Sequence, residues 1–347
     1  MTPPEFDPFR VGLVEGTYSG GVAPGYYIDP LRGSRMDSAG DLLGARKAGR
    51  RPPDPLGLSC SAETSNASSL GRARQKKLAM TLAIGVAAGL LLTVAAIRFF
   101  ENSFIYFPPH FPEGFPPPSL YERHVEEVWL TTLDKVRLNA WYLPNTTAEK
   151  ALLWFHGNAE NIGYGFERLM FYSRLGINVL AVDYRGYGKS GGSPNEAGVY
   201  RDADAAYDYL IKERHIQPKN IVLFGHSLGG AVAIDLASRR ECGGLIVQSS
   251  FTSAKEMARR MFRIPFFEYL PKSQFDSLAK IRRVRAPILI VHGTRDDVVP
   301  FSMGQRLFKA APEPKFFFPV EDAGHNDVTE LGGDALLDHF KSFLDQH

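Results

Sequence analysis

The stretch Ile221-Val-Leu-Phe-Gly-His-Ser-Leu-Gly-Gly230 decides the fold of this chain. Its first four residues form a short apolar β-type run, and an amphipathic helical pattern opens at Ser227 and continues to Arg239. Between the two lies a Gly-x-Ser-x-Gly sequence, Gly225–Gly229, which is common by chance when it stands alone. The strand–turn–helix setting is more specific, because there a serine takes a strained backbone and exposes its hydroxyl. The segment therefore predicts a nucleophilic Ser227 at the carboxyl end of a buried strand.

Strand and helix patterns alternate on both sides of this stretch. The β-type runs are Val125–Leu130, Val136–Tyr142, Ala151–Phe155, Val179–Val182, Ile221–Phe224, Leu245–Val247, Ile288–Val291 and Phe316–Val320. The helical patterns are Glu160–Arg174, Ala197–Lys212, Ser227–Arg239, Ser302–Ala311 and Asp334–Leu344. Several runs are continuously apolar, as in strands buried on both faces, so the alternation predicts an α/β fold with a mostly parallel eight-stranded sheet and helices on both faces. The first two runs have no helix between them and predict an antiparallel edge.

A serine hydroxyl needs a general base, and the loops at the carboxyl ends of the later strands can supply one. His325 lies in Asp322-Ala-Gly-His-Asn326, directly after the last strand run. His339 falls inside the last helical pattern and His347 is the terminal residue, so both are weaker choices. His226 adjoins the serine in the turn itself, and we interpret it as a structural residue. The sequence therefore predicts His325 as the base.

The acid that orients this histidine is sought in the loop His292-Gly-Thr-Arg-Asp-Asp-Val-Val-Pro300, which follows another strand run. Two carboxylates occur there, Asp296 and Asp297, and only one can face inward. On the residues alone both remain open. Asp183 also ends a strand run, but it precedes the serine in the chain, and we interpret it as structural.

The oxyanion of an acyl-transfer reaction needs two preset N–H donors. The residue after the nucleophile, Leu228, offers one at the start of a helix. The second is expected from the loop His156-Gly-Asn-Ala159, where the glycine permits a tight turn and Asn158 presents its backbone N–H. A simple strand-ending turn is the alternative interpretation of this loop.

A charge-free segment, Leu78–Ile97, reads LAMTLAIGVAAGLLLTVAAI. In a helix rising ~1.5 Å per residue it spans roughly 30 Å, the thickness of a bilayer core. A buried core helix would keep a polar stripe, and a signal peptide has a shorter apolar region nearer the N-terminus. The segment therefore predicts a single transmembrane anchor over residues 78–100. Gly85 and Gly89 form a GxxxG pair, a weak indication of homodimerisation.

The residues around this segment predict its orientation and its connections. Four cations precede it: Arg72, Arg74, Lys76 and Lys77. They predict a cytoplasmic N-terminus, with the catalytic part across the membrane. Residues 1–77 are rich in Gly, Pro and Ser and predict a disordered tail. It is either functional, a dispensable linker, or the result of a misassigned start, with Met36 or Met80 as alternatives.

Residues 101–120 are rich in proline and aromatics and predict a juxtamembrane linker before a catalytic domain at residues 121–347. The aromatic side chains of Phe104, Tyr106 and Phe107 belong either at the membrane interface or on the surface of the domain. Both interpretations stay open on the sequence.

Composition excludes several other classes of protein. The net charge of the 347 residues is +2, and no basic stripe interleaved with aromatics occurs in the second half, so no nucleic-acid partner is expected. The two cysteines, Cys60 and Cys242, are far apart and build neither a disulfide framework nor a metal site. No His, Asp and Glu cluster has ligand spacing, so neither a metal nor a cofactor is expected.

Taken together, Phe155–Asn161, Asp183–Gly188 and Phe224–Gly230 resemble the α/β-hydrolase family, in the branch of membrane-bound acyl-protein thioesterases and serine-aminopeptidase-like hydrolases. The resemblance runs from about residue 120 to the C-terminus. It implies the triad Ser227, Asp296 and His325, and so selects Asp296 over Asp297. It also implies the oxyanion roles of Asn158 and Leu228.

The resemblance further implies a small cap over the site at about residues 251–285, whose apolar and basic side chains either receive an acyl chain and head group or simply pack. The expected function is a serine hydrolase that cleaves esters or thioesters of an acylated small molecule, lipid or protein. A peptidase on the same triad is the alternative, and it would need carboxylates to hold the substrate amine. A non-catalytic scaffold is less favoured, since no triad residue is missing.

Overall fold

The computed structural model describes residues 63–111, 125–262, 267–269 and 271–346. The chain divides into two compact units, residues 1–69 and 70–347. In the first unit the described residues, 63–69, are helical. The predicted disorder of residues 1–62 and the second part of the predicted linker, residues 112–120, lie outside the described residues.

The first helix, α1, is Glu63–Ile105 and is longer than predicted at both ends. Two expectations were wrong: residues 63–77 are helical rather than disordered, and residues 101–105 are helical rather than part of a linker. Its polar start contains Ala, Arg, Gln and Lys, which extend a helix readily once an apolar segment has nucleated it. The apolar periodicity that marks a helix is absent there, so the sequence pattern did not reveal it.

Within α1, the part Arg72–Ser103 is long and apolar enough to cross a membrane. The most apolar stretch of this helix is not buried by any other part of the chain that the structure describes. Leu91 and Leu92, for example, are each 71% exposed. A core helix of a soluble protein would be mostly covered. The hydroxyls of Thr81 and Thr93 donate to the carbonyls of Lys77 and Gly89, each at 2.9 Å, so the helix satisfies its own polar side chains.

Residues 126–320 contain one eight-stranded sheet with the order β1-β2-β4-β3-β5-β6-β7-β8. The strands are β1 Glu126–Thr131, β2 Arg137–Leu143, β3 Ala151–Phe155, β4 Asn178–Val182, β5 Ile221–His226, β6 Gly244–Gln248, β7 Ile288–Gly293 and β8 Lys315–Val320. All eight predicted runs are strands. The pairs β1–β2 and β2–β4 are antiparallel and every other pair is parallel, which confirms the predicted antiparallel edge.

Helices cover both faces of this sheet. They are α2 Phe166–Ser173, α3 Glu196–Lys212, α4 Leu228–Ala237, α5 Ala254–Phe262, α6 Ser277–Ile281, α7 Phe301–Ala310 and α8 Val328–Gln346. Helix α2 begins later than predicted, because residues 160–165 form turns and loop instead of a helix. Helix α8 is broken at Gly333, whose φ of 45° and ψ of −137° are not helical, so the predicted helix Asp334–Leu344 lies in its second part. The segment between β6 and β7 holds α5, a 3-10 turn at Phe267–Tyr269 and α6, none of which the pattern had resolved.

Two apolar layers, one on each face, hold the strands rigidly. Leu153, Leu223 and Leu245 pack in one layer, whereas their chain neighbours Trp154, Phe224 and Ile246 pack in the other. Successive side chains of a strand point to opposite faces, so a strand that is apolar throughout must be covered twice. The carboxyl ends of β3, β5, β7 and β8 thereby meet at one edge of the sheet.

Candidate active site

Ser227 occupies the turn between β5 and α4 with φ 54° and ψ −113°. A non-glycine residue rarely adopts a positive φ, and the surrounding contacts must hold it there. Its backbone N–H donates to the carbonyl of Gln248 at 2.9 Å. A Cβ at Gly225 would overlap the backbone of Gly229, and one at Gly229 would overlap the carbonyl of Phe155. Both glycines of the turn are therefore fixed by the approach of helix, strand and neighbouring loop.

The structure brings the three predicted side chains together at this edge. Nε2 of His325 lies 3.0 Å from Oγ of Ser227, and Nδ1 of His325 lies 2.8 Å from Oδ2 of Asp296. An ionised carboxylate only accepts, so Nδ1 carries the proton and Nε2 turns its lone pair to the serine hydroxyl. The arrangement can remove the hydroxyl proton and hold the resulting imidazolium beside a carboxylate.

Asp296 is held in one orientation by its own loop. Its Oδ1 accepts the backbone N–H groups of Val298 at 3.0 Å and Val299 at 2.7 Å, while Nε2 of His292 lies 3.2 Å from Oδ2. Burial alone would raise the pKa of Asp296, but hydrogen bonds from His292 and His325 outweigh it and keep that pKa well below its usual value. Asp297 is exposed, so Asp296 alone faces the histidine.

His292 is a functional support that the sequence analysis did not assign. It lies near the end of β7, and its Nε2 also lies 2.9 Å from the carbonyl of Val299. His292 thus joins Asp296 to Val299 within the loop His292–Pro300, which we call the acid loop. Its place in the same loop as Asp296 was the available signal, but a histidine next to a strand end is usually a packing residue.

Of the two residues predicted to hold an oxyanion, Leu228 directly follows Ser227 and Asn158 lies in the loop after β3. Leu228 is the first residue of α4, where a backbone N–H has no carbonyl acceptor inside the helix. Asn158 follows β3, and its side-chain amide is engaged elsewhere. Its Oδ1 accepts from the hydroxyl of Tyr187 at 2.6 Å and from the backbone N–H of Phe107 at 3.1 Å, and its Nδ2 donates to the carbonyl of Ile105 at 2.6 Å. The side chain is thus unavailable, and the oxyanion role of the backbone N–H of Asn158 stays a prediction.

The histidines that the sequence analysis set aside as bases, His226 and His339, have other hydrogen-bond partners. His226 is buried, with Nε2 at 3.1 Å from the carbonyl of His325. It packs against Gly157 in the loop His156–Ala159, which we call the oxyanion loop after its predicted role. His339 is exposed on α8, where Nδ1 lies 2.8 Å from the carbonyl of Ala335. His347 lies outside the described residues. Within the described residues no group of three His, Cys, Asp or Glu side chains is placed to hold a metal ion.

Asp183 contacts both the oxyanion loop, at His156, and the turn that follows it, at Ile162. It is fully buried, its Oδ1 accepts the N–H of Ile162 at 2.8 Å, and the same oxygen lies 3.5 Å from Nε2 of His156. Nδ1 of His156 lies 2.7 Å from the carbonyl of Gly157, so Nδ1 carries the proton. Burial raises the pKa of Asp183 to about 7 and lowers the pKa of His156 to about 4. Both side chains are therefore mainly uncharged near pH 6.

The chain is similar in sequence to several known proteins. Residues 146–272 match the model of a family described as serine aminopeptidase, S33. The chain is 35% identical over 278 residues to the uncharacterised protein Rv2307c of Mycobacterium tuberculosis strain H37Rv, a match that covers 80% of this chain and 97% of that protein. It is 38% identical over 198 residues to the mouse α/β hydrolase domain-containing protein 17C, covering 56% of this chain and 59% of the mouse protein.

A solved structure shares the fold. The esterase Pf2001 of Pyrococcus furiosus superposes with a TM-score of 0.59 at 23% identity, covering 69% of this chain and 99% of the esterase. With these relatives and the sheet described above, the chain belongs to the α/β-hydrolase family.

Replacing Asp296 with asparagine is expected to lower kcat by roughly 10⁴-fold, because an amide donates to His325 and favours the wrong tautomer. The matched control is Asp297→Asn, which changes the neighbouring exposed carboxylate and should leave kcat within about two-fold. Steady-state turnover of a p-nitrophenyl ester by the two variants measures both effects. Similar losses in the two variants, or a larger loss at Asp297, would contradict the assignment.

Replacing Asp183 with asparagine is expected to change how stability depends on pH. The pKa of about 7 in the folded protein exceeds the ordinary 3.8, so the folded state keeps a proton that the unfolded chain releases. This group's contribution to the free energy of unfolding therefore falls as pH rises, by about 2–3 kcal/mol between pH 5 and pH 8. The variant has no carboxyl group at position 183, so its free energy of unfolding does not fall for this reason. His156 is present in both proteins, so the comparison isolates the effect of Asp183.

Thermal unfolding of wild type and Asp183→Asn in detergent, at pH 5 and at pH 8, measures the difference. The variant should gain stability relative to wild type between the lower and the higher pH. An unchanged difference in melting temperature at the two pH values would show that Asp183 is ionised throughout.

Proposed function

We propose that this chain is a membrane-anchored serine hydrolase that cleaves carboxylic ester or thioester bonds of acylated substrates. The observation that carries the proposal is the hydrogen-bonded series Ser227–His325–Asp296 at the carboxyl ends of β5, β7 and β8. Family membership supports hydrolysis as the reaction class. The elbow supports serine as the nucleophile, since its strained backbone points Oγ at the base.

The first half of the reaction forms an acyl-enzyme. Oγ of Ser227 attacks the substrate carbonyl while Nε2 of His325 takes the hydroxyl proton, and Asp296 stabilises the imidazolium. The tetrahedral oxyanion receives the N–H groups of Leu228 and Asn158. When the intermediate collapses, His325 gives its proton to the departing alcohol or thiol, and the acyl group stays on Ser227.

Water completes the cycle. His325 removes a proton from a water molecule, which attacks the acyl carbonyl, and the same two N–H groups hold the second oxyanion. Collapse releases a carboxylic acid, and Oγ of Ser227 recovers its proton from His325. No cofactor takes part in either half.

A membrane anchor fits the helix Arg72–Ser103, which is apolar, long and uncovered. The basic cluster before it supports a cytoplasmic N-terminus and a catalytic domain on the opposite side. A weak homodimer through Gly85 and Gly89 stays a prediction. A Cβ added at either glycine would meet nothing within 4 Å, so this face of the helix is open.

A serine aminopeptidase on the same triad is the second candidate, favoured by the family matched over residues 146–272. Such an enzyme needs a carboxylate to hold the substrate amine. Two acidic residues beside the site loops, Glu160 and Glu256, are paired with Arg168 and Arg306. This pairing leaves them poorly suited to a substrate ammonium, and it supports the esterase over the peptidase.

Turnover of three substrate classes tests the proposal. Full-length protein in membranes should hydrolyse a p-nitrophenyl ester and an acyl thioester, and should cleave an aminoacyl p-nitroanilide far more slowly. Ser227→Ala should reduce ester turnover by about 10³-fold or more, because no other group can form the acyl-enzyme. Undiminished ester turnover by Ser227→Ala would refute the mechanism, and preferred cleavage of the anilide would establish the peptidase.

A further inference from the structure

Helix α1 enters the catalytic domain without a linker. Glu101 follows Arg98 by less than one helical turn, so it lies about 4.5 Å farther along the axis. It is only 5% exposed, and its carboxylate accepts the backbone N–H groups of Lys272 and Ser273, each at 2.7 Å. The face of the domain that receives Glu101 therefore lies within about one turn of the end of the apolar segment.

This face is the cap. The next two N–H groups of the same cap segment, those of Gln274 and Phe275, donate to Glu196 of α3 at 2.6 and 2.9 Å. Carboxylates from the apolar helix and from the hydrolase body thus bind successive N–H groups of one segment. The cap, α1 and α3 are thereby joined in one arrangement.

The residues after α1 are joined to the oxyanion loop. The carbonyl of Ile105 and the N–H of Phe107 are both bound by the side chain of Asn158. Between them, Tyr106 is 2% exposed, with its ring centroid 6.4 Å from that of Phe275. Tyr106 therefore packs onto the domain, whereas Phe107 is 54% exposed. The two sides of the site, cap and oxyanion loop, are both attached to the end of α1.

Exposed apolar side chains occur both on the segment that follows α1 and on the cap. We call Phe107, Met261 and Tyr269 the entrance patch; Met261 is 65% and Tyr269 58% exposed. Tyr269 precedes Lys272 by three residues, so its Cα lies within roughly 11 Å of that of Lys272, whose N–H binds Glu101. Met261 follows Arg260, whose guanidinium donates to the carbonyl of Asp297 in the acid loop at 3.1 Å.

A cavity of about 470 Å³ lies at the junction of α1 with the cap, and most of the residues that line it are polar or charged. Its lining includes two cations, Arg98 and Lys272, and two carboxylates, Glu101 and Glu196, which backbone N–H groups already bind. Arg98 directly follows the apolar segment, at the depth of lipid head groups. Phe99 and Phe100 beside it are 82% and 53% exposed, as expected of aromatic residues at a membrane interface.

We propose that the entrance patch rests on the bilayer that α1 crosses, so that the acyl group of the substrate passes from the lipid to Ser227. The substrate class is then long-chain acyl esters or thioesters whose chain is embedded in the membrane. This inference rests on the proposed hydrolase function and on the anchor. Its distinct claim is geometrical: α1 holds the domain with its active-site side toward the lipid, instead of tethering it loosely.

Lipid contact is measured on full-length variants that carry one introduced, exposed cysteine beside Cys242, which is buried and therefore escapes labelling. Met261→Cys and Tyr269→Cys, each in a Cys60→Ser background, carry an environment-sensitive fluorophore in phosphatidylcholine vesicles with or without nitroxide-labelled lipid. Gln217→Cys is the control, because Gln217 is exposed just before β5, at the opposite edge of the sheet. Quenching several-fold stronger at the two cap positions is expected, and quenching equal to that of Gln217→Cys would overturn the proposal.

Hydrolysis separates this claim from the proposed function. The double variant Met261→Asp/Tyr269→Asp should lose about five-fold or more in turnover of a vesicle-embedded long-chain ester, because charge weakens interfacial binding. It should keep turnover of a soluble short-chain ester within about two-fold, and Gln217→Asp should change neither. Equal effects on the two esters would contradict lipid-side entry. Quenching at the cap without turnover of any ester by wild type would refute the hydrolase and leave the docking geometry standing.

Discussion

The close approach of β5, α4 and the loop after β3 is the constraint on which the rest of the site depends. At Gly225 and Gly229 there is no space for a Cβ, and the chain can turn between strand and helix only if Ser227 takes a positive φ. That turn fixes Oγ of Ser227 against His325 and places the N–H of Leu228 at the start of a helix. Geometry, more than any single strong interaction, makes this serine different from the others.

The supports around the site are less conspicuous than the reacting groups. His292 binds the acid loop, Asp183 binds the oxyanion loop, and His226 packs between the oxyanion loop and the base. All three side chains are buried and hydrogen-bonded. Each has lost its contact with water and instead fixes the position of a neighbouring residue. The end of α1 adds a further support through Asn158, which makes the apolar helix part of the site's architecture as well as its anchor.

The sequence was sufficient to predict the features that depend on local residue patterns, namely the strands and the loops that carry the candidate site. Short β-type runs, several of them continuously apolar, located all eight strands, and the loops after β3, β5, β7 and β8 contained the residues that the structure brings together. Contacts between distant segments were beyond it. The burial of Glu101 depends on backbone N–H groups of Lys272 and Ser273. The residues around position 101 give no indication of this contact, because its two sides lie about 170 residues apart in the chain. The choice between Asp296 and Asp297 likewise needed family resemblance, because only the folded loop shows which carboxylate faces inward.

Fluorophosphonate labelling, mapped to a peptide by mass spectrometry, tests the central claim that Ser227 is an activated nucleophile. The membrane-expressed wild type should form one covalent adduct, on the peptide that contains Ser227, and Ser227→Ala should form none. Labelling at another serine, or a folded wild type that remains unlabelled, would contradict the account.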